Sequence, residues 1–105
     1  MVAFADTASA LAALRPIMGH KDMSVSLGVG EIIEASVNAY TSPFGSLVED
    51  TLLAVSACLP GRMNILAAAE PALRSPLGEL NWSLSDEPTR LGRGTMVYDV
   101  RHSAV

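Results

Sequence analysis

Four stretches of this chain alternate apolar and polar side chains, and a period of two commits much of the molecule to a sheet. From Ser24 to Val29, Val25, Leu27 and Val29 point one way, while Ser24, Ser26 and Gly28 point the other. Glu31 to Thr41 sets Ile33, Ala35, Val37 and Ala39 against Glu34, Ser36, Asn38 and Tyr40. Glu79 to Ser85 places Leu80, Trp82 and Leu84 opposite Asn81, Ser83 and Ser85. Thr95 to Arg101 places Met96, Tyr98 and Val100 opposite Val97, Asp99 and Arg101. Successive side chains of a strand leave opposite faces, so each run reads as a half-buried strand. Gly30 tolerates positive φ, which makes a hairpin the economical link between the first two runs. Met63, Ile65 and Ala67 offer a further short strand.

Two helices are signalled around these strands. Near the N-terminus, Asp6 or Thr7 can accept free helix N–H groups, and Leu11, Leu14 and Met18 then share one face. Pro16 lacks a donor and stops that helix near Leu14 or Arg15. The second helix has Ser42-Pro43 as a possible start and a Ser46-Leu47-Val48-Glu49 capping box four residues on. Val48, Leu52, Val55 and Leu59 form its stripe, and Pro60-Gly61 ends it. Leu47, Leu53, Ala54, Ala57 and Cys58 widen the apolar face over most of the circumference, as in a helix buried on more than one side. Pro71 and Pro76 limit any helix between Leu66 and Gly78 to a turn or two.

The expected fold is a single small α+β domain over residues 1–105. It has a mostly antiparallel sheet of about five strands and two main helices packed on one face, in the order α-β-β-α-β-β-β. No repeat, low-complexity run or linker marks a boundary.

The surface is short of charge. Charged residues are 17% of the chain, against roughly 25% in ordinary domains, and Ala (15) and Leu (13) supply much of the apolar excess. The shortage of cations is local: from Asp22 to Gly61 there are five acids (Asp22, Glu31, Glu34, Glu49, Asp50) and no Lys or Arg. That argues against nucleic acid as a partner, since such affinity rests on phosphate neutralisation. Cys58 is alone, so a disulfide within the chain is excluded and a reducing compartment is the natural reading. No apolar run is long enough for a transmembrane helix, and Met1–Asp6 lacks the positive start of a signal peptide, so the expected location is the cytoplasm, or an assembly built from a cytoplasmic pool.

Candidate chemistry is sparse. In the segment Asp86–Gly94, Arg90 and Arg93 suit a carboxylate or phosphate, or else form a solvated loop paired with its own acids. The spacing is neither a P-loop nor a dinucleotide fingerprint. Glu49 and Asp50 fit the first turn of a helix better than acid–base work. His20 and His102 have no third ligand in register for a metal. Cys58, late in an apolar helix, reads as an inert thiol. No catalytic residue, metal or cofactor is assigned.

The expected function is a non-catalytic assembly or interaction subunit, binding copies of itself or another protein. A virion component, a secretion-machine part and one half of an inhibitor–immunity complex all fit. The interface would use Ser24 and Ser26 on an uncharged strand, together with Leu47, Leu53 and Ala57 on the apolar helix. The alternative is a small ligand-binding or anion-binding protein or enzyme with a site between subunits, around the 86–94 loop.

Overall fold

The computed structural model describes residues 4–17, 20–30, 33–37, 40–44 and 46–102, with side chains given except at 33–37, 40–44, 93 and 102. Met18 and Glu31, and the side chain of Glu34, therefore lie outside the described residues.

Helix α1 spans Thr7–Leu14. Asp6 caps it, its carboxylate accepting from the Ser9 N–H at 2.7 Å. The first alternating run forms a short strand, β1 (Val25–Leu27). The second run does not pair with it. It divides into β2 (Ile33–Val37) and β3 (Tyr40–Phe44), which pair with each other as a separate antiparallel hairpin. Ser42 and Pro43 consequently lie in β3 instead of opening a helix, and α2 (Ser46–Ala57) begins at the capping-box serine.

After α2 the chain turns at Gly61, whose φ of +81° suits glycine and whose N–H donates to the Met23 carbonyl at 2.9 Å. A β-carbon there would sit 3.1 Å from the Lys21 carbonyl oxygen, so the close approach also needs glycine. Strand β4 (Met63–Leu66) then pairs with β1 in parallel, Val25 opposite Met63. A parallel pair needs a crossover, and the hairpin followed by α2 supplies it.

The expected limit on the next helix is corrected. A 3-10 turn at Ala67–Ala69 leads into α3, Glu70–Glu79. Pro71 falls in the first turn, where its missing N–H costs nothing. Pro76 lies inside the helix and removes the donor for the carbonyl of Ala72, a residue exposed to water. Burial of Leu73 and Leu77 holds the helix through that defect. Asn81, in the left-handed region at φ 63°, then turns the chain into β5 (Trp82–Leu84).

The segment Asp86–Gly94 is also more ordered than a long loop. Thr89–Arg90 form β6, and a turn from Leu91 to Thr95, closed by a 2.6 Å backbone bond, leads into β7 (Met96–His102). Strand β7 is the hub: β4 lies along one side of it, and β5 and β6 pair along the other. The result is an α+β domain with a mixed five-stranded sheet, antiparallel except for β1–β4.

The helices cover both faces of this sheet, not one. Met63, Ile65 and Val100 join Leu11 of α1 and Leu73 and Leu77 of α3 in the main core. Alternate residues of the same strands, Leu66 and Val97, turn the other way and meet Ala54 of α2. Among the described residues, no helix is long and apolar enough to cross a membrane.

Candidate interaction surface

Small side chains let α2 lie close to the sheet. Gly28, just past β1, has no room for a side chain: a β-carbon there would meet the Thr51 hydroxyl at 2.7 Å and methyls of Leu47 and Leu66 at 2.9 Å. Ala54 is fully buried against Leu66 and Val97. The stripe of α2 that meets the sheet is therefore Leu47, Thr51, Ala54 and then Cys58, at helical spacing.

Polar side chains of the sheet finish the C-terminal end of the helix. The last carbonyls of a helix have no partner within it. The Asn64 amide donates to the Ala54 carbonyl at 3.1 Å, and the Ser24 hydroxyl donates to the Cys58 carbonyl at 2.9 Å. The Ser26 hydroxyl donates to the Asn64 side-chain oxygen, so Asn64, only 3% exposed, is used at both ends. Near the other end of α2, the Thr95 hydroxyl donates to Asp50 at 3.1 Å and ties the helix to the start of β7.

This arrangement reverses the expected orientation of α2. Of its large aliphatic stripe only Val48 is buried; Val55 is half-buried, Leu52 is 49% exposed and Leu59, past the helix end, is 63% exposed. Met23 is also exposed, and its carbonyl takes the Gly61 N–H, which places it beside the turn that follows Leu59.

The residues singled out from sequence fall as follows. Ser24, Ser26, Leu47 and Leu53 are half-buried, and the first three make the intramolecular contacts just described; Ala57 is exposed. Strand β1 does end the sheet, as an edge strand would. Arg90 is exposed on β6, and the side chain of Arg93 lies outside the described residues. Glu49 is exposed in the first turn of α2. The Asp22 N–H donates to His20 Nδ1 at 3.2 Å, which assigns that nitrogen as an acceptor. The Cys58 thiol faces the carbonyls of Val25 and Leu59, and partial burial pushes its pKa up, away from nucleophilic duty. Among the described residues, no group of His, Cys, Asp and Glu could hold a metal ion.

Leu52 and Leu59 were visible in the sequence as members of the stripe; their outward direction was not. The signal that could have revealed it is the small-residue row Gly28, Thr51 and Ala54, which only a close helix–sheet contact requires.

Compared with known proteins, the chain matches no family model, no curated sequence and no solved structure.

Proposed function

We propose that this protein is a non-catalytic interaction subunit that buries the outward stripe of α2 against a second copy of itself or another protein. The observation that carries the reading is the inversion of α2. Ala54 is packed at 0% exposure, while Leu52 and Leu59 stand 49% and 63% exposed. Exposed large aliphatic side chains that form one continuous patch mark interaction sites, and Leu52 and Leu59, seven residues apart, lie two helical turns from each other. The segment 22–61, which holds this surface, has five charged residues in forty, all of them acids. Obligate interfaces have this character, apolar and depleted of charge at their centre.

The test is solution mass by light scattering across micromolar concentrations, for the wild type and for Leu52→Glu with Leu59→Glu. A self-associating wild type and a monomeric, folded double variant are expected. A monomeric wild type would restrict the reading to a different protein partner. Unchanged association of the double variant would remove the α2 stripe from it.

A further inference from the structure

A pair of arginines far from the 86–94 loop is placed to take an anion. Arg62 immediately precedes β4, and Arg101 lies in β7. The antiparallel register pairs Met63 with Val100, so the residues next to them, Arg62 and Arg101, lie at the same end of the strand pair. Both are exposed, and both line an open cleft of about 520 Å³ together with Gly61, Trp82 and Asp99. Like charges directly opposite one another across a sheet repel. Among the described residues the ion pair present is Arg74–Glu70, on α3, so neither cleft arginine is neutralised by a carboxylate at contact distance.

Two guanidinium groups lining one cleft offer several N–H donors to an oxyanion. Asp99 sets a limit on the ligand. It lies two residues from Arg101 on the same strand face, and its peptide is tied on both sides to Ser85, whose hydroxyl accepts its N–H at 3.2 Å and whose N–H reaches its carbonyl at 2.9 Å. A half-buried carboxylate held there repels a second negative group. We infer that the cleft binds a small molecule through one phosphate or carboxylate group on Arg62 and Arg101, with a neutral or donor-bearing remainder toward Asp99. This inference is independent of the α2 surface.

The test is a ¹H–¹⁵N NMR titration at low ionic strength with inorganic phosphate, a parallel arm with acetate, and a chloride arm at matched ionic strength. Saturable shifts of the Gly61, Arg62 and Arg101 amides are expected with phosphate or acetate and not with chloride. The arm with the lower midpoint identifies which oxyanion the site prefers. Arg62→Gln and Arg101→Gln, at exposed positions that leave the core intact, should each weaken binding about tenfold, the loss of one charge-assisted hydrogen bond. Arg101→Gln should also raise thermal stability in the absence of oxyanion, by relieving the repulsion, and phosphate should stabilise the wild type more than this variant. Non-saturable shifts, shifts that chloride reproduces, or equal midpoints in wild type and variants would overturn the site.

Discussion

Helices α2 and α3 pack on opposite faces of the same sheet and use opposite kinds of side chain to do it. Helix α3 drives Leu73 and Leu77 into the core, at 3% and 0% exposure, where they meet Met63, Ile65 and Val100. Helix α2 offers the sheet Thr51 and Ala54, approaches closely over Gly28, and leaves Leu52 in water. The contact of α3 is held by apolar volume. That of α2 rests on side chains of Leu47 and Thr51 packed over Gly28, on Ala54, and on polar caps from Ser24 and Asn64. One protein thus contains a helix whose buried leucines build the main core and a helix that, besides burying Val48 and packing Leu47, leaves Leu52 exposed.

The comparison breaks most sharply at the core. Leu77→Ala removes a fully buried side chain and should cost about 2–5 kcal/mol in urea unfolding. The same truncation at Leu52 should cost far less, and equal losses would erase the distinction between the helices. Next comes the α2 contact. Gly28→Ala forces a methyl against Thr51, Leu47 and Leu66 and should cost about 1–3 kcal/mol. Asn64→Ala leaves the Ala54 carbonyl without its partner in a buried position and should cost about 1–3 kcal/mol by the same measurement. A neutral Gly28→Ala would show that the ends of Thr51, Leu47 and Leu66 give way without cost.

Smaller still is the effect of the Leu52→Glu and Leu59→Glu pair on the monomer. At exposed positions each should shift stability by no more than about 0.5 kcal/mol while abolishing self-association. The smallest effect concerns Cys58. Burial raises its thiol pKa, so the unfolded chain loses the proton first as pH rises. Its contribution to stability is complete below the ordinary thiol pKa and fades as pH climbs through the raised value. Unfolding midpoints should therefore fall at alkaline pH in the wild type and fall less in Cys58→Ala. Identical pH profiles would place the thiol in open solvent.

Much of the local structure was legible along the chain, because periodicity and capping are properties of neighbouring residues. The Asp6 cap and the end of α1 at Leu14 rest on contacts a few residues long, and the strand at Met63 and the stop at Pro60-Gly61 were marked by local residue pattern although long-range contacts complete them. The pairing of strands was less legible. The run 31–41 alternates without interruption, yet β2 and β3 within it pair with each other, Val37 opposite Tyr40, and only Ser36 and Asn38 in it are turn-favouring types. Proline counted too heavily at Pro76, where burial of Leu77 on the next turn outweighs one missing hydrogen bond. The Arg62–Arg101 pair could not be seen at all, since the two are brought together only by the β4–β7 register.

By itself the sequence determined that this chain makes a small α+β domain, where its helices and strands fall in broad outline, and that its surface is poor in charge between residues 22 and 61. Those follow from local propensity and composition, which act on each segment alone. Only the tertiary structure decided which side of α2 is buried. An all-round apolar helix satisfies its own backbone in any rotation about its axis. The choice falls to the surface it must fit, and here Gly28 and the Asn64 amide accept alanine and threonine, which leaves Leu52 and Leu59 outside.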